Sequence, residues 1–241
     1  MHPFITIGHF KILTFSLIVL LDIFVCLGIL AYNLKFNMDK FDEIRRVIIQ
    51  AFMGVIVGGR GLSALTLSGG NFKSFFYYII YGGTVFFGGF CGGMVAIYIF
   101  CKRNDISFWY ISDNILRILP FGQAIGRIAC YFNGCCYGKQ TNCLIAVNYI
   151  VNGIKTRVYP TWFIEMFGCF VIFLILQKPK YDYIDGKITF LYLILYSSLR
   201  FAIEFLRGDE IRGLYFGLST SQIISIIILL LAIIMKRRQS L

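Results

Sequence analysis

Long apolar stretches recur along the chain and are separated by short polar segments. An apolar stretch of about 20 residues crosses the roughly 30 Å hydrocarbon core of a membrane as one helix. The first stretch is too long for a removable signal peptide and lacks a cleavage site of small residues. The pattern predicts an all-α polytopic membrane protein whose single transmembrane domain covers residues 1–241. We place seven spanning helices at about residues 10–32, 47–66, 79–101, 107–128, 161–177, 188–206 and 219–235.

The composition agrees with this interpretation. The chain has 241 residues, of which 58% are hydrophobic and 15% are charged, and its mean hydropathy is +0.76. About a quarter of the residues of a soluble domain are charged, and the predicted spans leave no segment for such a domain. The net charge of +11 would suggest a nucleic-acid partner for a soluble chain. Here the basic residues lie mostly in short loops, where they set orientation, so we expect no nucleic-acid partner.

The basic residues are distributed unequally between the two sides of the predicted bundle. Short loops rich in lysine and arginine face the cytoplasm. The predicted orientation therefore places the amino terminus outside and the carboxyl terminus in the cytoplasm, with outer-face loops at residues 129–160 and 207–218. The basic residues behind this assignment follow spans one, three, five and seven, and they are Lys35, Lys40, Arg45, Arg46, Lys102, Arg103, Lys178, Lys180, Lys187, Lys236, Arg237 and Arg238.

The stretch Gly126–Gly138, with the sequence GRIACYFNGCCYG, carries the strongest chemical signal. Arg127 lies at the edge of the hydrocarbon, where an arginine is costly and usually serves a ligand or a partner. The dipeptide Asn133-Gly134 indicates a turn, because both residues tolerate positive φ. The stretch therefore predicts a helix that leaves the membrane and breaks into a loop with a fixed cation at its base, which suits a phosphate.

Glycines at four-residue spacing occur in three of the predicted spans. Such spacing is typical of helices that approach each other closely. Arg60 follows one of these pairs and Arg127 follows another, so close packing is expected to bring two guanidinium groups toward one cavity. The spaced glycines are Gly54 and Gly58, those within Gly88–Gly93, and Gly122 and Gly126.

Two further groups of charged residues lie inside predicted spans. Asp113 and Arg117 are one helical turn apart and are expected to neutralise each other. Arg200, Glu204 and Arg207 share one helix face at positions i, i+4 and i+7. This second group is either an internal ion-pair ladder or a set of arginines that faces a substrate, and the spacing favours neither alternative.

The combined motifs resemble the prolipoprotein diacylglyceryl transferase family, bacterial membrane enzymes that lipidate lipoprotein precursors. The similarity extends over most of the chain, and the order and spacing of its motifs agree with that family. The matching residues are Gly126, Arg127, Asn133, Gly134 and Gly138 of the signature, Gly58–Arg60, Pro160, Thr161 and Glu165, and Arg200, Glu204 and Arg207.

The resemblance implies transfer of a diacylglyceryl group from phosphatidylglycerol to the lipobox cysteine of a prolipoprotein signal peptide. The enzyme would lie in the bacterial plasma membrane, and no metal or organic cofactor is called for. Fixed guanidinium groups would stabilise the charge that gathers on the leaving phosphate. We assign catalysis to Arg127, Arg200, Glu204 and Glu165, and substrate binding to Arg60, Asn133, Gly134, Gly138, Arg207 and Tyr159.

The chain departs from the family at several polar positions. The family's histidines are Phe87 and Tyr159 here, and an asparagine and a glutamate of its signature are Cys130 and Cys135. The general base is therefore open, with Glu165, Glu204, Tyr159 or the arginine field as candidates. A non-catalytic protein that binds a phospholipid or a lipoprotein precursor is the alternative function. A transporter fits less well, since the pattern shows no pair of matching discontinuous helices.

Of the four cysteines in the predicted outer loop, Cys135, Cys136 and Cys143 follow the turn at Asn133-Gly134. Neighbouring cysteines rarely bond to each other, because the small ring strains the peptide. We interpret Cys135 and Cys136 as small buried residues at a tight turn. A lipid-cysteine intermediate and a disulfide from Cys143 to either neighbour are the alternatives.

Overall fold

The computed structural model describes residues 4–7, 10–34, 37–68, 71–81, 86–151, 154–178, 186–208, 214–215 and 218–239. These residues form eight helices and three two-stranded antiparallel hairpins. The helices are α1 (Thr14–Asn33), α2 (Met38–Leu67), α3 (Phe72–Tyr81), α4 (Phe86–Arg103), α5 (Phe108–Phe132), α6 (Thr161–Leu176), α7 (Lys187–Glu204) and α8 (Thr220–Gln239). The paired strands are β1 (Phe4–Ile7) with β2 (Phe10–Leu13), β3 (Val147–Val151) with β4 (Ile154–Val158), and β5 (Leu214–Tyr215) with β6 (Leu218–Ser219).

Five of the predicted spans, the second and the fourth to seventh, each coincide with one helix of the structure. The prediction for the first span is wrong at its start, because residues 10–13 form β2 and pair with β1. The prediction for the third span is wrong at its start too, since residues 79–81 belong to α3 and a separate helix begins at Phe86. Strand pairing depends on a partner segment, which the apolar length of one window does not reveal.

The helices are strongly apolar on their outer faces. Among the described residues, two helical stretches have the length and hydropathy to cross a membrane, Ser16–Asn33 and Met38–Leu65, and Thr161–Leu176 and Ser221–Ile234 are shorter apolar helices. Phe24 on α1 is 66% exposed, and many large apolar side chains beside it are exposed as well. Such faces suit contact with lipid. The number of seven spans and the orientation stay predictions.

The described residues pack as two compact units, one of residues 1–32 with 113–241 and the other of residues 33–112. A single transmembrane domain over residues 1–241 therefore stays a prediction. Parts of three other predictions lie outside the described residues: the positions of Lys35 and Lys180, and most of the loop at 207–218.

In the unit of residues 33–112, α2 and α4 pack with their backbones in contact. A Cβ added to Gly58 would overlap the carbonyl oxygen of Gly88, and one added to Gly92 would overlap that of Gly54. Only residues without side chains permit this approach, because the facing carbonyl groups are rigid. The close helix contact predicted from the glycine spacing is confirmed for this pair of helices.

In the other unit, α5 provides the amino-terminal cap of α7. The residue that precedes α7, Gly186, has a φ of 77° and gives no side-chain cap. The Oδ1 atom of Asp113 on α5 accepts hydrogen bonds from the backbone N–H of Thr189, at 2.9 Å, and from its hydroxyl, at 2.6 Å. An anion at this end of a helix is stabilised by the unpaired N–H groups there. This cap gives the buried Asp113 two hydrogen-bond donors, and its predicted pairing with Arg117 stays a prediction.

A small apolar core joins α6 and α7 beside that cap. Ile172 and Leu176 on α6 pack with Ile188 and Tyr192 on α7, and all four are at most 4% exposed. The hydroxyl of Tyr192 also donates to Oε1 of Gln123 on α5 at 3.1 Å. These contacts fix the relative positions of the three helices that carry the charged residues described below.

Gly58→Ala tests the contact between α2 and α4. The added methyl group overlaps a backbone carbonyl of α4, so we expect the free energy of unfolding to fall by about 1–3 kcal/mol. Gly61→Ala is the matched control on the same helix, because a Cβ there meets nothing within 4 Å and alanine is the better helix former. Thermal unfolding of the purified protein in detergent measures both. Equal melting temperatures for the two variants would contradict the described packing.

Candidate functional site

One buried carboxylate joins two arginines from different helices. Glu165 on α6 lies between Arg127, near the end of α5, and Arg200 on α7. The Nη2 atom of Arg127 is 2.6 Å from Oε1 of Glu165, and the Nη1 atom of Arg200 is 3.3 Å from Oε2. The side chain of Glu165 is only 2% exposed. The structure therefore brings together three of the four residues that were assigned to catalysis.

The fourth, Glu204, pairs with Arg200 one turn along α7. Its Oε2 atom lies 3.1 Å from Nη2 of Arg200, as the four-residue spacing predicts. The prediction that Arg207 shares this helix face is wrong, because α7 ends at Glu204. Arg207 instead lies in an extended segment whose backbone forms a bridge with Gly138. Of the three charged residues predicted along one helix, Arg200 and Glu204 form an ion pair on α7, and Arg207 lies beyond the end of the helix.

The positive and negative charges of this group differ in their exposure. The guanidinium groups of Arg127 and Arg200 pair with the carboxylates of Glu165 and Glu204. The side chains of Arg127 and Arg200 remain 20% and 15% exposed, while both carboxylates are almost fully buried. The accessible part of the cluster is therefore cationic. A phosphodiester, which carries one negative charge, complements it.

The loop after α5 turns back sharply within a few residues. The helix continues to Phe132, so the loop begins at residue 133, four residues later than the predicted start at residue 129. Gly134 has a φ of 73° and Cys136 a φ of 59°. The turn predicted at Asn133-Gly134 is present, with the left-handed conformation at the glycine, and the second left-handed residue was not predicted. Asn133 itself is exposed.

Gly138 lies between two other segments of the chain. Its N–H donates to the carbonyl oxygen of Tyr159 at 3.0 Å, and a Cβ there would lie 2.6 Å from that oxygen and 2.9 Å from the one of Leu206. The N–H of Gly134 donates to the carbonyl oxygen of Tyr131. These two backbone donors were expected to contact a headgroup, but both are used within the protein. Both glycines therefore have a structural explanation in the turn.

Arg60 belongs to the other compact unit. Its Nη1 atom donates to the carbonyl oxygens of Ile79 and Ile80, both at 3.2 Å. These carbonyls lie in the last turn of α3, where the groups have no partner within the helix and a cation is favourable. The side chain thus has a role within residues 33–112. Its approach to the cavity of Arg127 stays a prediction.

Three cysteine sulfurs gather next to Arg127. The Sγ atoms of Cys130, Cys135 and Cys136 all lie within 4.8 Å of one another. The Nη1 atom of Arg127 lies 3.8 Å from the sulfur of Cys130 and 3.7 Å from that of Cys136. The sequence pattern indicates small side chains at a turn for Cys135 and Cys136 and does not connect them with Cys130. The signal was the spacing C-x4-C-C, which places all three around one helix end.

The environment of this cluster favours a thiolate at one position. Hydrogen bonds with the thiols of Cys130 and Cys135 lower the pKa of the Cys136 thiol, and the charges of Arg207 and Arg127 act in the same direction. Burial opposes this shift. The first residue of α6 also holds this loop, because the hydroxyl of Thr161 donates a hydrogen bond to the carbonyl oxygen of Cys136 at 2.7 Å.

Comparison with known proteins identifies the family of the chain. The family model described as prolipoprotein diacylglyceryl transferase matches residues 3–237. Three similar proteins are each named phosphatidylglycerol–prolipoprotein diacylglyceryl transferase. They come from Finegoldia magna (36% identical, covering 64% of this chain and 61% of the relative), Clostridium tetani (32%, covering 63% and 62%) and Rickettsia bellii (33%, covering 83% and 77%).

The matches cover different shares of the relatives and of this chain. The chain spans about three-fifths of the length of the first two relatives and 77% of the third. The family model covers nearly the whole chain. On that coverage, the chain belongs to the prolipoprotein diacylglyceryl transferase family.

Proposed function

We propose that this protein transfers a diacylglyceryl group from phosphatidylglycerol to the lipobox cysteine thiol of a prolipoprotein. The observation that carries the proposal is the pair of arginines, Arg127 and Arg200, held by the single carboxylate of Glu165. Two guanidinium groups with exposed edges, above carboxylates that are buried, suit the headgroup phosphate. The names of the relatives support the same substrates.

The reaction breaks a carbon–oxygen bond of the lipid and leaves the electron pair on a phosphate oxygen. Charge therefore increases on the phosphate as the bond breaks, and a fixed guanidinium group stabilises that state more than the bound lipid. Arg127 and Arg200 are the catalytic cations of the proposal. Glu165 orients both of them, and Glu204 orients Arg200 from the next turn of α7.

The remaining predicted residues have supporting roles in the proposal. Arg207 adds positive charge beside the loop, Asn133 presents an exposed amide at its tip, and Tyr159 lies next to Gly138. Gly134 and Gly138 shape the turn, and Arg60 is a further residue predicted to bind the headgroup. Since both carboxylates are engaged in ion pairs, the acceptor of the thiol proton is sought elsewhere.

The proposed enzyme is a multi-pass protein of the bacterial plasma membrane with seven spans and an outer amino terminus. Its partners are phosphatidylglycerol and the signal peptide of a prolipoprotein. The alternative is a non-catalytic protein that binds the same lipid or precursor. The observation that favours it is the replacement of the family's histidines by Phe87 and Tyr159.

The orientation predicts which loops are accessible from outside the cell. Cys143 lies in the predicted outer loop and is partly exposed, so a membrane-impermeant maleimide should label it in intact cells. The matched control is Asn104→Cys, since Asn104 is exposed in the predicted cytoplasmic loop between α4 and α5. That cysteine should react only after lysis. Peptide mapping by mass spectrometry identifies the labelled residue, and the reverse pattern would contradict the orientation.

Arg127→Lys tests the role of the guanidinium group. A lysine presents a point charge and cannot reproduce the planar fork, so we expect it to fail nearly as badly as Arg127→Ala. Losing a contact made mainly in the transition state costs on the order of 3–4 kcal/mol, which is a rate loss of about 10²–10³. The assay combines purified protein, phosphatidylglycerol and a lipobox peptide, and it measures the mass gain at the cysteine.

Arg45→Lys is the control for that experiment. Arg45 forms an exposed ion pair with Asp42 on α2, and this pair has no role in the proposal, so the rate should be unchanged. If the wild-type protein is inactive while phosphatidylglycerol still binds in a manner that requires Arg127, the transferase proposal fails and the binding protein is the better account.

Glu165→Gln tests whether phosphate and carboxylate act on the same arginines. The variant leaves two half-buried guanidinium groups without their shared anion, which should cost on the order of 3 kcal/mol of stability. Phosphatidylglycerol should then raise the melting temperature of the variant more than that of the wild type, because its phosphate replaces the missing charge. Phosphatidylcholine, whose headgroup has no net charge, should give a smaller rise.

The control variant is Asp42→Asn, which removes the carboxylate of the exposed pair with Arg45. Its free energy of unfolding should change by at most about 0.5 kcal/mol. Phosphatidylglycerol should raise its melting temperature by the same amount as that of the wild type. Equal lipid-induced shifts in wild type and Glu165→Gln would show that the phosphate does not bind at these arginines.

A further inference from the structure

The cluster of Cys130, Cys135 and Cys136 has no role in the proposed transfer as described so far. All three are free thiols and are half-buried. Their sulfurs lie within 4.8 Å of one another, and those of Cys130 and Cys136 lie 3.8 and 3.7 Å from the Nη1 atom of Arg127. The family resemblance called for no metal, whereas these three side chains offer a set of ligands for one.

The spacing of the sulfurs fits a metal ion bound by thiolates. Zinc binds cysteine sulfur at about 2.3 Å in tetrahedral geometry, which places two ligand sulfurs about 3.8 Å apart. Small side-chain rotations bring sulfurs within 4.8 Å to that spacing. In the part of the chain that the structure describes, no fourth cysteine, histidine or carboxylate joins the group. Three protein ligands with one remaining position are typical of catalytic zinc sites.

The backbone presents the three ligands to one point. The left-handed conformation of Cys136, at a φ of 59°, lets two neighbouring residues direct their sulfurs toward Cys130 on the last turn of α5. The carbonyl oxygens of Cys135 and Cys136 accept hydrogen bonds from the hydroxyls of Tyr149, at 3.0 Å, and Thr161, at 2.7 Å. Such outer contacts hold metal ligands in position.

The charge of the surroundings is also suitable. A zinc ion with three thiolates carries one net negative charge, and the guanidinium group of Arg127 lies within 4 Å of two of the sulfurs. Its N–H groups donate to these sulfurs, and such hydrogen bonds stabilise charged ligands. A disulfide of Cys130 with either neighbour is the competing state of the same thiols, and the experiment below separates the two.

We propose that Cys130, Cys135 and Cys136 bind a zinc ion, and that the fourth position takes the cysteine thiol of the acceptor prolipoprotein. The second half of this statement rests on the proposed function. A thiol that binds zinc loses its proton, here to solvent, and is a thiolate at neutral pH. This would supply the deprotonation for which the chain lacks the family's histidines.

The resulting step is a displacement at the glycerol carbon of the lipid. The acceptor thiolate sulfur forms a bond to that carbon, and the bond from the carbon to the phosphate oxygen breaks. The electron pair leaves with the phosphate, next to Arg127 and Arg200, and the products are a thioether and glycerol phosphate. No oxidant or reductant takes part.

The metal site is tested first without reference to activity. Full-length protein purified in detergent under reducing conditions should contain about one zinc per chain by elemental mass spectrometry. Cys130→Ser, Cys135→Ser and Cys136→Ser should each weaken zinc binding by more than about tenfold, since even the loss of an outer contact costs about 10–100-fold. Cys143→Ser and Cys169→Ser are the controls and should retain the metal.

A second measurement avoids the risk that a variant misfolds. Cobalt(II) added to wild-type protein should give the sulfur-to-metal charge-transfer absorption of a tetrahedral thiolate site, and zinc should displace it. Wild-type protein without stoichiometric zinc and without this absorption would overturn the proposal. So would protein from cells in which mass spectrometry finds Cys130 in a disulfide with Cys135 or Cys136.

The acceptor thiol is tested on the cobalt-loaded protein. A lipobox peptide should increase the charge-transfer absorption, because a fourth thiolate joins the ion, and the same peptide with serine in place of its cysteine should not. No change with the cysteine peptide overturns the fourth ligand. Full transfer activity in zinc-free protein overturns the role of the metal and leaves the proposed function intact. Binding of zinc and of the peptide without any transfer overturns the proposed function and leaves the metal site intact.

Discussion

The arrangement of this site depends on one buried carboxylate. A carboxylate that is 2% exposed is stable only with strong partners, because its desolvation costs several kcal/mol. Glu165 finds two of them, one on α5 and one on α7, so the same interaction that stabilises its charge fixes the positions of three helices. The arginines in turn are held with their outer edges accessible. The ion pairs of Glu165 thus both stabilise the helix packing and position the two arginines to bind an anion.

The loop beyond α5 is held by its backbone more than by its side chains. Gly138 is bonded to the segment of Tyr159 on one side and bridges Arg207 on the other. This brings the ends of α5 and α7 and the start of α6 to the same place. A side chain at position 138 would overlap the backbone oxygens of Tyr159 and Leu206. Neither segment can move away without breaking these hydrogen bonds.

What could be predicted from the sequence was mostly what depends on local spacing. The pair of Arg200 with Glu204 and the contact of Gly58 with α4 follow from helical periodicity, which a short window contains. The hairpin of β1 and β2 was missed, since strand pairing needs a partner segment. The cap that Asp113 provides for α7 joins residues 76 positions apart, and no local pattern indicates it.

The candidate site shows the same division. Motif similarity identified Arg127, Glu165 and Arg200, but their convergence on one carboxylate is a result of how three helices pack. Arg207 was predicted on the face of α7 because the end of that helix at Glu204 carries no glycine or proline to mark it. The gathering of Cys130 with Cys135 and Cys136 required the left-handed turn at Cys136, a conformation that a residue other than glycine rarely adopts.

Arg127 is the residue where the two halves of the proposed chemistry meet. Its Nη2 atom contacts Glu165, which aligns it with Arg200, and its Nη1 atom contacts the sulfurs of Cys130 and Cys136. In a displacement, the nucleophile and the leaving group lie on opposite sides of one carbon, only a few ångströms apart. A cation that touches both the phosphate side and the sulfur side can hold two negatively charged reactants close together, which their mutual repulsion would otherwise oppose. In the proposed mechanism, the metal site activates the thiol, while Arg127 and Arg200 stabilise the leaving phosphate.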